Sequence, residues 1–142
     1  MFVIKDALRS KNKMIRATES NYHLLDDNVQ AIADSVLTKV SEKNENFSID
    51  PITIIAIINC IIGVIRLLYA CRSKRGDAAL QDLRDPNMFQ RFIIKRQIRK
   101  HVDKNYETDV YDSMREHSHQ MDETDVLNII NLYDSKKLFK EA

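Results

Sequence analysis

The sequence predicts an all-α protein: an irregular helical bundle around one long apolar central helix at 51–72. Three observations predict it. The 142 residues include two glycines and two prolines, too few turn residues for the many tight reversals of a sheet protein. Apolar residues recur at helical spacing through most of the chain. The segment PITIIAIINCIIGVIRLLYAC, residues 51–71, carries a single charge, Arg66, in a chain that is 30% charged. A hydrophobic fraction of 44% supplies a real core and excludes a wholly disordered chain, and the length suits one domain.

Residues 1–25 read as a basic N-terminal arm, with five basic and two acidic side chains, ahead of a single helical domain over 26–142. Lys5 and Asp6 break the apolar start, so a secretory signal is not expected. Val3, Ile4, Ala7, Leu8, Met14 and Ile15 can form a stripe that orders against a partner. Residues 27–44 predict the cleanest amphipathic helix, with Val29, Ile32, Ala33, Val36, Leu37 and Val40 on one face. Asp26, Asp27 or Asn28 can cap it, and NENFSID then breaks it. Asp50-Pro51 is a strong start signal, because aspartate accepts the free N–H groups and proline loses nothing at the first helical position. That helix should run to about Cys71 and can continue to Lys74.

A break at Gly76-Asp77 and a short helix at 78–84 follow. Asp85-Pro86 repeats the start signal and predicts a helix to about Lys104. Phe89, Phe92, Ile93, Ile94, Ile98 and Val102 are expected inward, with Arg91, Lys95, Arg96, Arg99 and Lys100 outward. Tyr106, Val110, Met114 and His117 carry a helical stripe on to about Gln120, with or without a break. Asp122 can cap a last helix whose Val126, Ile129, Ile130 and Tyr133 face in. Ser135 to Ala142 reads as a turn or a short helix.

The apolar segment decides between two classes of protein. Its 21 residues give ~31 Å of helix, about one hydrocarbon thickness. Arg72, Lys74 and Arg75 follow it like a stop-transfer cluster, which would put the N-terminus outside. Against a span, Thr53, Asn59 and Arg66 dilute the run. Ala56, Cys60 and Gly63, with Asn59 and Arg66 alongside, form a small or polar face suited to close helix contact and partner binding. The neighbouring amphipathic helices also need an apolar mate, which a bundle supplies as its central member.

Charge is blocked along the chain: net +3 over 1–25, −4 over 26–50, +7 over 51–104 and −5 over 105–142. The blocks either neutralise one another within the bundle or leave a basic face for an anionic partner. Arg91, Lys95, Arg96, Arg99, Lys100 and Lys104 are the binding candidates, toward another subunit, a membrane surface or nucleic acid.

Catalytic chemistry finds little purchase. His117 and His119 are two residues apart, so on a helix they diverge by ~160° and read as ordinary histidines at an acidic helix end. Cys60 and Cys71 stand ~16 Å apart on one helix, too far to bridge, and read as buried structural thiols in a reducing compartment. No glycine-rich phosphate loop and no Ser/His/Asp arrangement is present, so a non-enzyme without cofactor or metal is expected.

Asp50-Pro51-Ile52-Thr53-Ile54-Ile55, running into the isoleucine-rich helix and then Cys71-Arg72-Ser73-Lys74-Arg75, resembles segments of small structural proteins of tailed-phage virions. The resemblance covers about 25 residues. It implies a helical component packed in a particle and delivered to a host envelope. The expectation is therefore a structural subunit of a larger assembly, such as a virion. The alternatives are a single-pass membrane protein with its span at 51–71 and a helical nucleic-acid binder using 91–104.

Overall fold

A computed structural model describes residues 27–134. Among these the protein is all-α, with six helices and no strand: α1 (Asp27–Lys43), α2 (Pro51–Cys71), α3 (Gly76–Arg84), α4 (Met88–Arg99), a 3-10 turn (Lys104–Tyr106), α5 (Glu107–Ser118) and α6 (Glu123–Asp134). The predicted arm at 1–25 and the segment 135–142 lie outside the described residues, as do Asp26 and the side chains of Asn28 and Tyr133.

The helices form a bundle around α2. α1 and α4 each pack on both α2 and α5, so these four close a ring in the order α1, α2, α4, α5. α3 and α6 pack on each other and on α2. Ile54, Ile57, Ile58, Ile61 and Val64 of α2 are fully buried. So is the entire predicted stripe of α1, from Val29 to Val40. Ile94 and Ile98 of α4, Val110 and Met114 of α5, and Val126 and Ile129 of α6 complete the core. Burying one isoleucine contributes ~1.5–3 kcal/mol, whereas its helix-propensity penalty is at most ~0.7 kcal/mol. Packing therefore decides that this β-branched segment is helical.

The start of α2 is as expected. Asp50 Oδ1 accepts the Thr53 N–H at 2.8 Å, with Pro51 at the first position. The helix stops at Cys71 because Ser73 and Lys74 turn to positive φ, 53° and 63°. The Lys74 N–H then donates back to the Tyr69 carbonyl at 2.9 Å.

Three boundaries differ from the sequence expectation. Gly76 is not a break but the first residue of α3. A Cβ there would lie 3.0 Å from Leu127 Cδ2, so the missing side chain lets α3 close on α6. α4 begins at Met88 rather than Pro86, because Asn87, not Asp85, is its cap. Finally, α4 ends at Arg99, short of the expected Lys104, and α5 starts at Glu107, so the region 86–120, left open by the sequence, is two helices. Between them Asp103 Oδ1 accepts the Asn105 N–H at 2.9 Å. Phe47 also meets the Tyr106 ring edge-on at 5.0 Å, tying the α1–α2 loop to this turn.

Arg84 fastens the far end of the bundle. Its Nε donates to the Ser118 carbonyl at 2.9 Å, at the end of α5, and its Nη2 to the Met121 carbonyl in the turn before α6. Arg115 Nε in turn donates to the Arg84 carbonyl at 2.9 Å.

Two outcomes follow from this packing. Ile58→Asp puts an isolated carboxylate into a fully apolar site, a cost of several kcal/mol against a total stability of ~5–15 kcal/mol. The cooperative thermal transition followed by circular dichroism should vanish; a normal transition would contradict the buried-helix account. Arg84→Met keeps the aliphatic stem but removes both hydrogen bonds, the Ser118 carbonyl keeping the Met121 N–H, at a cost of about 2 kcal/mol. Its melting temperature should fall by roughly 10 °C, with helicity retained at low temperature.

Candidate interaction surface

The outer face of α4 is the most unusual surface among the described residues. Its start is rigid: Asn87 Oδ1 accepts the Gln90 N–H at 2.8 Å, and Gln90 Oε1 accepts the Asn87 N–H at 2.9 Å, a reciprocal capping box. Ile94 and Ile98 anchor the helix in the core, and Gln97 lies against Gly63 of α2. With that orientation, Met88, Phe89 and Phe92 point to solvent, at 87%, 69% and 55% exposure.

The two rings were expected inward, and the structure corrects this. Phe92 is two residues from Ile94, hence ~160° away around the helix. Both cannot face the core, and Ile94 does. Ile93 and Val102 are only half-buried. Met88 was not singled out from sequence; the Asn87/Gln90 spacing, which makes it the first residue of the helix, was the available signal.

The six basic candidates divide by environment. Lys95 is half-buried with its Nζ 5.4 Å from the centre of the buried Tyr111 ring, a cation–π contact. Arg99 pairs with Glu107 of α5, so the acidic neighbour of α4 is α5. Arg91, Arg96, Lys100 and Lys104 are exposed and make no ion pair among the described residues. His101, next to Lys100, is held below the usual histidine range by burial and by the Lys100 charge. On the helical wheel Arg96, Arg99 and Lys100 fall on the same side as Met88, Phe89 and Phe92, within an arc of ~120°. The face is therefore apolar at its N-terminal turn and cationic beyond it.

Of the five candidates on α2, Ala56, Asn59, Gly63 and Arg66 lie on one half-open side of the helix, within ~80° of one another, and Cys60 does not. Cys60 is fully buried in the core, and burial pushes its thiol up to about 12, so it stays a neutral, unreactive group. Gly63 sits beneath Gln97: a Cβ would come within 2.5 Å of its amide nitrogen, so this small residue serves the α2–α4 approach. Ala56 is half-buried beside His101 and Val102. Asn59 and Arg66 are exposed, on a stripe with Ile52 (51% exposed) and Ala70 that the bundle leaves open. Cys71, expected buried, is exposed, because α2 ends there and its last turn leaves the core.

The remaining polar candidates are dispersed. His117 is half-buried and lines a cleft of about 560 Å³ between α1 and α5, with Asp34, Lys39 and Glu42 around it. His119 is exposed. Among the described residues no three His, Cys, Asp or Glu side chains are grouped to hold a metal ion. α2 is long and apolar enough to cross a membrane, but half of its most apolar stretch is buried in the fold.

No protein-family model, curated protein or solved structure matches the chain.

His117 should leave a mark on stability. Burial holds its imidazole below the ordinary value of 6.5, with the Asp125 charge opposing more weakly. The folded state thus binds the proton less readily than the unfolded chain. This contribution is complete above the unfolded value and is lost as pH falls through the lowered folded one. Between pH ~7.5 and ~5.5 the melting temperature should drop more for the native chain than for His117→Asn; equal drops would remove His117 from the account.

Proposed function

We propose that this chain is a non-enzymatic interaction protein, a small helical subunit of a larger assembly of the kind found in a virion, and that the outer face of α4 is its docking surface. One observation carries the proposal. A fold that buries its α1 and α2 stripes almost completely leaves Met88, Phe89 and Phe92 in solvent, side by side on one rigidly capped helix. Isolated exposed apolar residues are ordinary, but clustered large ones mark contact sites. Aromatic rings, Met and Arg are the residue types over-represented where proteins dock.

A membrane span at α2 is the less supported reading. To enter lipid, α2 would have to shed α1, α3, α4 and α6, which all pack on it. Their apolar stripes would then have no cover.

The test is a double substitution, Phe89→Ser with Phe92→Ser. Both positions are exposed, so the melting temperature should change little. In the producing cell the native chain should fractionate with large particles or membranes, and the double variant should move to the soluble monomer pool. Identical fractionation of the two folded proteins would contradict the proposal.

A further inference from the structure

We propose that the occupant of the α4 face is an anionic phospholipid surface. This rests on the docking role of α4 argued above and names the partner of that same face. Charge is the first reason: α4 holds Arg91, Lys95, Arg96 and Arg99 and no acidic residue, with Lys100 directly after it. Of these, Arg91, Arg96 and Lys100 have no ion pair among the described residues to neutralise them.

The second reason is how apolar and cationic groups are arranged. Met88, Phe89 and Phe92 are gathered at the N-terminal turn, and Arg96, Arg99 and Lys100 come one turn later on the same side. An apolar tip ahead of a cationic band fits a layer whose hydrocarbon lies just beneath its phosphates: the rings and the thioether enter the acyl boundary, and the guanidinium and ammonium groups stay at headgroup level. A single-stranded nucleic acid would instead want rings interleaved with cations along a track of phosphates. A protein partner would want its apolar centre ringed by balanced polar groups rather than by unopposed positive charge.

The capping box supports entry of this end. Asn87 and Gln90 satisfy each other's backbone N–H groups, so two donors that would resist leaving water are already bonded. Each cation near an anionic surface adds about fivefold to binding, and each ring that becomes buried adds about tenfold or more.

The full chain is mixed with vesicles of phosphatidylcholine alone, or of phosphatidylcholine with phosphatidylglycerol, and sedimented. It should pellet with the phosphatidylglycerol vesicles only, and progressively less as salt is raised. Phe89→Ser/Phe92→Ser should weaken binding by about a hundredfold, and Arg96→Glu/Lys100→Glu by at least about twentyfold. The sequence has no tryptophan, so Phe92→Trp is a single-site reporter whose emission should shift to the blue on the anionic vesicles alone.

Absence of pelleting by the native chain would overturn the proposal, as would pelleting that both double variants retain. If vesicles are not bound while association with particles still depends on Phe89 and Phe92, the partner is a protein and only the lipid assignment falls. If neither vesicle binding nor fractionation responds to the two rings, the docking role of α4 falls as well. Binding of a single-stranded RNA oligonucleotide with the same variant pattern, in the absence of vesicle binding, would replace lipid by nucleic acid.

Discussion

Cover for α2 is the constraint on which the rest of the structure depends. Eight isoleucines and a valine between residues 52 and 65 lose rotamer freedom in a helix and gain nothing from water. Such a helix exists only if something wraps it. Here α1, α3, α4 and α6 all do so, each giving up the apolar stripe that it could not leave exposed. Even the glycines serve this end: Gly63 admits the Gln97 side chain of α4, and Gly76 lets α3 meet α6. Asn59 and Arg66, the two most polar groups within the helix, fall on its one open stripe. Local pattern and global packing therefore agree at nearly every position of the core.

The charge blocks are only partly reconciled inside the bundle. Lys39 pairs with Glu116 across α1 and α5, Arg99 with Glu107, and Arg72 Nε lies 3.1 Å from the buried carboxylate of Asp82. The exposed Lys39–Glu116 pair stabilises little, and the three pairs together do not exhaust the basic surplus. Part of the remainder lies on α4, beside the only place among the described residues where several large apolar side chains stand together in solvent. A helix face that combines exposed apolar side chains with unneutralised charge is where function is to be sought.

Much of this was legible in the sequence. The α1 stripe, the Asp50 cap, the extent of α2 and the Asp122 cap of α6, whose Oδ1 accepts the Asp125 N–H at 3.0 Å, all follow from local chemistry. The orientation of α4 did not. Its apolar residues Phe89, Phe92, Ile93, Ile94 and Ile98 are spread around most of the helix circumference, so periodicity alone leaves the inner side undetermined. It is set by tertiary contacts, through Ile94 and Ile98 in the core and Gln97 against Gly63, while the local Asn87 cap shifts the helix start beyond the more conspicuous Asp85-Pro86 pair. On α2 the spacing placed Ala56, Asn59, Gly63 and Arg66 on one side, where they are half-buried or exposed, whereas Cys60, one step further around the helix, faces the core.

The most direct test of this account is amide hydrogen exchange along α2 in aqueous buffer free of detergent and lipid. With its own chain as cover, the amides from Ile54 to Leu68 should be the slowest to exchange, with a protection free energy equal to that of global unfolding by denaturant. Fast exchange of these amides in buffer, with protection appearing only once detergent or lipid is added, would mean that the bundle does not enclose α2 and would contradict the account.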